Sequence, residues 1–124
     1  MKRSCNVIRK LASKLRYFSQ KILKDRQMVG FYVNVKLKAG CEAKFEEILK
    51  EIVPASRKDK GCISYECGVV VGAKSEYCFM ESWENLESQK EHMKSAHMAK
   101  NAAALEACKE SQEVKIINFV STKE

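Results

Sequence analysis

Between residues 31 and 53 the hydrophobic period of the chain changes from two to about 3.6, and this change restricts the fold more than any other feature. Phe31, Val33, Val35 and Leu37 alternate with Tyr32, Asn34, Lys36 and Lys38. Such alternation predicts a strand with one buried face, ended by Ala39-Gly40. Phe45, Ile48, Leu49, Ile52 and Val53 then follow the i, i+3, i+4, i+7, i+8 rule of an amphipathic helix, with Glu42, Glu46, Glu47, Lys50 and Glu51 facing out. The early acids suit the positive end of the helix dipole. Pro54 should kink or stop the helix, and the polar run Arg57–Gly61 ends in a helix-stopping glycine.

The rest of the chain repeats this logic. Cys62 to Val71 reads as a second strand, Gly72-Ala73-Lys74-Ser75 as a hairpin turn, and Glu76 to Trp83 as a third strand rich in β-formers. A less regular helical region runs from near Glu84 to about Lys109, with a break near Ser95-Ala96-His97. Val114, Ile116, Ile117, Phe119 and Val120 form a last strand. The order βαββαβ predicts an α+β, ferredoxin-like domain: an antiparallel sheet with two helices on one face. The elements fall within residues 29–120, and the domain is assigned to 28–124. A unit this small with an open sheet face is marginal alone. Covering that face with a second copy predicts a homodimer.

Charge separates the first 27 residues from this domain. They hold nine basic residues against one acid, Asp25, for +8, whereas the remainder holds 14 basic and 15 acidic residues, for −1. Ile8, Leu11, Leu15, Phe18 and Ile22 make one stripe of a basic amphipathic helix. The segment is poor in acids and carries Ser4, Ser13 and Ser19, so it resembles a mitochondrial transit peptide that would meet import machinery. The alternatives are an anionic membrane surface, a partner helix, or translation that starts at Met28. No apolar h-region follows the first charges, so the six cysteines (Cys5, Cys41, Cys62, Cys67, Cys78, Cys108) are expected to be reduced thiols of an intracellular protein. No Cys-x-x-Cys occurs, and no zinc site is expected.

Several stretches carry a family resemblance: Val35-Lys36-Leu37-Lys38-Ala39-Gly40, then Ala55-Ser56-Arg57 with Gly61-Cys62-Ile63-Ser64-Tyr65, then Glu81-Ser82-Trp83-Glu84-Asn85, His92 and Ser95-Ala96-His97-Met98. In order and spacing they resemble the antibiotic-biosynthesis-monooxygenase family of dimeric α/β barrels. Ala96 stands where many members have proline. The resemblance implies an oxygenase that works without a cofactor on an electron-rich aromatic such as a quinol. It also implies that His92 faces a cleft between the second helix and the sheet.

Such chemistry needs a dry pocket and a group that takes the phenolic proton, and histidine suits neutral pH. His92 is therefore the expected catalytic base. Trp83 at the pocket rim and His97 at the helix break are further catalytic candidates, and Tyr65, Phe79 and Met93 are the expected substrate wall. The plain structural alternatives are a hydrogen-bonded helix histidine for His92, a bend-forming role for His97 and core packing for Trp83. On an ideal helix, residues five apart lie about 140° apart around the axis, so His92 and His97 should not chelate a metal as an i, i+4 pair would, although a bend at Ser95-Ala96 would bring them nearer; neither metal nor cofactor is expected. Asn34 faces away from the helices, and Glu81, if buried, needs a partner.

Haem-degrading relatives of this fold use an Asn on strand one and a Trp and a His on helix two. The matching positions here are Val33, His92 and Ala102, which argues against haem oxygenation. An RNA-recognition module shares the βαββαβ order, but a domain charge of −1 and the lack of an Arg/Lys-Gly-Phe-like strand motif argue against nucleic acid. The remaining alternative is a catalytically silent dimer that binds a small apolar ligand or acts as a scaffold.

Overall fold

The computed structural model describes residues 2–25 and 27–122, and the side chains of 6–17 and 27–122. Helix α1 (Lys2–Asp25) precedes β1 (Val29–Leu37), α2 (Glu42–Arg57), β2 (Cys62–Val69), β3 (Glu76–Trp83), α3 (Leu86–Met93), α4 (Ala96–Cys108) and β4 (Lys109–Asn118). The strands form one antiparallel sheet in the order β2-β3-β1-β4. This is the ferredoxin-like α+β arrangement that the order of elements predicted.

Strand alternation decides which face is covered. Phe31, Val35 and Leu37 of β1, Tyr65 of β2, and Tyr77, Phe79 and Trp83 of β3 are all buried with Phe45, Ile48 and Ile52 of α2 in one core. Leu105 and Cys108 of α4 complete it. The opposite sheet face carries Tyr32, Asn34, Cys78, Met80 and Ile117, and it lies open. Asn34 is on that face, where its Nδ2 donates to Glu76 Oε2 at 3.3 Å. Strand β4 covers one sheet edge and exposes Val114, Ile116 and Ile117.

Several boundaries differ from the sequence reading. Pro54 does not stop α2, which runs on to Arg57; a proline this near a C-terminus removes only one late backbone bond, and the turn beyond it buries Ser56. Strand β2 ends at Val69, not Val71, because Val70 N–H bonds Glu76 O and the chain has begun its turn. Strand β4 begins at Lys109, well before the apolar run at Val114, since its pairing with β1 continues through polar residues. The irregular helical region is two helices: Asn85 caps α3 by accepting from Ser88 N–H at 2.8 Å, and the chain breaks at Lys94-Ser95 before α4.

Gly61 joins these pieces. Its φ of +83° belongs to the left-handed region, and a Cβ there would lie 2.1 Å from Ser88 Oγ. Its carbonyl accepts from Glu84 N–H at 2.8 Å. The turn after α2 is thereby pressed against the start of α3.

In α1, Ile8, Leu11 and Leu15 are exposed along one stripe, while the side chains of Phe18, Ile22 and Cys5 lie outside the described residues. No helix among the described residues is long and apolar enough to cross a membrane. Deleting residues 1–27 is expected to leave a domain that melts cooperatively at an unchanged temperature. A fall of many degrees in a calorimetric scan would show that the appendage packs on the core.

Candidate active site

His92 is buried in the helical layer, 1% exposed. It sits on α3 with its ring 4.7 Å from Trp83 and 5.2 Å from Tyr65, centroid to centroid. Its Nδ1 lies 2.8 Å from Asp59 Oδ2. Its other nitrogen, Nε2, is buried without any hydrogen-bond partner. A carboxylate accepts only, so Nδ1 carries the proton and Nε2 presents a free lone pair. Burial lowers the His92 pKa below its ordinary 6.5; the Asp59 bond opposes this without cancelling it, and His97 adds to the lowering. The imidazole is held neutral, in one tautomer, with its basic nitrogen unused.

Asp59 Oδ2 serves both histidines: His97 Nε2 lies 3.0 Å away. Ser56 Oγ and Ser95 Oγ lie 3.2 and 3.1 Å from the same His97 nitrogen. The break at Lys94-Ser95 is what brings the rings to 5.8 Å. The ideal-helix separation of His92 and His97 is therefore corrected, because the two residues lie on different helices. Asp59 Oδ2, His92 and His97 offer three donor atoms within 4.8 Å of one another. A transition-metal ion could sit among them only by displacing the hydrogen bonds that fill the space here.

A cavity of about 190 Å³ opens beside His92. Phe31, Val33, Tyr65 and Phe79 form its wall on the sheet, Met93 and Met98 its helical side, and Gln89, Lys109 and Gln112 add polar groups. Glu81 also lines it. This carboxyl is 8% exposed on β3, flanked in register by Phe31 and Tyr65. Among the described residues only Trp83 Nε1 bonds it, donating to Oε1 at 3.0 Å. Burial pushes its pKa up from 4.5 to about 7, and the Trp83 bond offsets only part of that.

The candidates from sequence thus separate. His92, Tyr65, Phe79 and Met93 meet at the cavity. Trp83 is corrected from rim to core: it is fully buried behind His92, and its indole N–H is committed to Glu81. His97 does not line the cavity and acts on Asp59 instead. Burial also raises the Tyr65 pKa, so its phenol stays protonated. Asp59 was missed; it is the one acid in a basic turn and looked like solvated loop. Ser56, three residues before it on the buried stripe of α2, was missed too.

The four-stranded antiparallel sheet, the helices on one of its faces and the cavity between them that holds a buried histidine define an α+β, ferredoxin-like domain. The chain is a member of the antibiotic biosynthesis monooxygenase family, whose model matches residues 28–104. No curated protein matches the chain. Among solved structures it is similar to a Bacteroides thetaiotaomicron protein of unknown function described as a possible oxidoreductase, with 24% identity and a TM-score of 0.70 over 76% of this chain and 99% of that one. A conserved protein from Methanosarcina mazei matches at 18% identity and a TM-score of 0.71, over 78% of this chain and 97% of the other. A structure described as an antibiotic biosynthesis monooxygenase matches at 16% identity and 0.70, over 75% and 99%. These likenesses show a shared fold.

The two perturbed groups give opposite pH signatures. His92, with its folded pKa lowered, contributes stability above pH 6.5 that is lost as pH falls through its folded pKa. Glu81, with its folded pKa raised, contributes stability below pH 4.5 that is lost as pH rises through about 7. The full rise from 4.5 to about 7 is worth about 3 kcal/mol. Glu81→Gln should therefore gain on wild type as pH rises from about 5 to about 8, by up to that amount. Denaturant melts of both proteins across this range check it; a pH-independent difference would show that Glu81 stays ionised.

Proposed function

We propose that the protein is a monooxygenase that needs no bound cofactor and acts on a small, electron-rich phenol. The observation that carries this reading is the unpartnered Nε2 of His92, a neutral base buried beside an apolar cavity. Family membership supplies the reaction class. The substrate hydroxyl gives its proton to Nε2, and Asp59 stabilises the imidazolium that results. The phenolate is then electron-rich enough to pass an electron to dioxygen in a cavity walled by Phe31, Val33, Tyr65 and Phe79.

Size narrows the substrate. An engineered apolar cavity of about 150 Å³ accommodates benzene, so about 190 Å³ suits a single substituted ring better than a polycyclic one. No described residue of α1 reaches this cavity. The open sheet face and the exposed apolar residues of β4 support a homodimer. Light scattering should give twice the 14.1 kDa chain mass at micromolar concentration, and a monomer would overturn the assembly.

Oxygen uptake with substituted hydroquinones, uncatalysed autoxidation subtracted, tests the activity. His92→Ala should lower turnover about 10²–10⁴-fold, the usual worth of a general base, with the domain still folded. His97→Ala should cost less. A His92→Ala protein of lowered melting temperature but unchanged turnover would reduce His92 to a structural role. A wild-type protein that consumes no oxygen with any phenol would favour the silent ligand-binding dimer.

A further inference from the structure

The cavity holds a second titratable group that the base step leaves idle. Glu81 lies on the middle of β3, between Phe31 and Tyr65 across the sheet, with one oxygen bonded to Trp83 and no cation bonded to it among the described residues. Burying an uncompensated carboxylate in such a place costs several kcal/mol, and an apolar side chain of similar volume would pack there without that cost. The titratable groups that line the cavity with it are Tyr65 on β2, His92 on α3 and Lys109 at the start of β4, and Cys62 and Cys67 of β2 lie close enough to feel its charge; β1 contributes only Phe31 and Val33. Burial pushes the carboxyl pKa up to about 7, so a large share of it keeps a proton at neutral pH, while burial holds His92 neutral. Two groups pushed apart in this way are how one site keeps both an acid and a base.

We propose that Glu81 is the catalytic acid of the oxygenase reaction, giving its proton to the departing oxygen as the O–O bond of a substrate peroxide breaks. The role rests on the oxygenase reading above. His92 Nε2 takes the phenolic proton; the phenolate and dioxygen combine to form a C–O bond at the ring carbon beside the phenolate oxygen, and the imidazolium returns its proton to the peroxide. The O–O bond then breaks. The distal oxygen leaves as water with the proton of Glu81, the carbon-bound hydrogen leaves as a proton to His92 Nε2, and the ring carbon becomes a carbonyl. That proton passes to the Glu81 carboxylate, and both groups are restored. The substrate loses four electrons and dioxygen gains four, one of its atoms ending in a quinone and the other in water. Without the acid, the adduct expels hydroperoxide instead, which yields the unsubstituted quinone and hydrogen peroxide.

The test uses hydroquinone and ¹⁸O₂ with the full chain. Oxygen uptake, hydrogen peroxide and ¹⁸O in the quinone are measured together for wild type, Glu81→Gln and Glu81→Asp, with uncatalysed autoxidation subtracted. Gln preserves an acceptor for Trp83 but carries no acidic proton; Asp preserves the acid. Wild type should place one ¹⁸O in each product and release little peroxide. Glu81→Gln should incorporate ¹⁸O at least about tenfold more slowly, divert consumed oxygen to peroxide and lose the high-pH limb of the rate profile; Glu81→Asp should restore incorporation in part. A packing role would not move the ratio of peroxide to labelled quinone. Glu81→Gln with wild-type labelling overturns the acid role and leaves the oxygenase reading intact. If Glu81→Gln fails to fold, Glu81→Asp decides: unrestored labelling in a folded Asp variant also overturns it. A wild-type protein without uptake or labelling overturns the oxygenase reading and the acid role with it.

Discussion

The carboxylate of Asp59 is the joint on which the helical layer of this domain depends. One oxygen, Oδ2, meets His92 of α3 at 2.8 Å and His97 of α4 at 3.0 Å. Asp59 itself belongs to the turn that leaves α2, and Ser56 of α2 reaches the same His97 nitrogen. Three helices are therefore tied at a point, and the break between α3 and α4 is shaped by that tie. A hydrogen bond to a charged acceptor, as between His92 and Asp59, is worth about 1.5–3 kcal/mol. The geometric effect of the His92–Asp59 bond exceeds its energy: it fixes which nitrogen of His92 is protonated and which keeps an unpartnered lone pair.

A second, weaker bond sets the floor of the cavity. Trp83 Nε1 and Glu81 Oε1 are two residues apart on one strand and face the same way. The indole N–H would be unsatisfied in the core without an acceptor, and the carboxyl would have no protein partner without the indole. Each explains the burial of the other. The bond is to a neutral donor, so it lowers the cost of ionising Glu81 without removing it. This separates the two acids of the site. Asp59 faces two imidazoles, whereas Glu81 faces aromatic rings and its pKa is pushed up to about 7 by burial.

The strands and α2 were readable from sequence because their signals are periodic, and burial enforces periodicity. Phe31, Val35 and Leu37 fall on the covered face as alternation requires, and Phe45, Ile48 and Ile52 fill it from α2. Strand β4 was misjudged because an edge strand with an open face does not need apolar alternation; its first half, Lys109–Glu113, is polar yet pairs with β1 on both sides of a register shift at Glu110. In the site, the place of His92 at the cavity was readable through the family resemblance, which implied that it faces a cleft between helix and sheet. Asp59 was not. A charged residue in a turn carries no periodic mark, and only the fold reveals that this turn points inward. The separation of His92 and His97 misled for a related reason: angular arithmetic holds along one helix, and a two-residue break at Lys94-Ser95 resets it.

The same contrast bears on how far the fold constrains the chemistry. The neighbours in structure share 16 to 24% identity with this chain, enough to reproduce the sheet order and too little to transfer a pocket. The cavity itself is local: a carboxylate on the far side of His92, a second carboxyl on the sheet, and methionines on the helical wall. Met93 and Met98 are flexible side chains that adapt to different ring substituents, whereas the His92–Asp59 pair is rigid. Under the proposed reading, a site built this way would hold the reacting hydroxyl strictly and the rest of the ring loosely. Specificity would then lie in the acidity and electron richness of the phenol more than in the shape of its substituents, since only a phenol that ionises against a neutral imidazole and yields an electron to dioxygen would complete the first step.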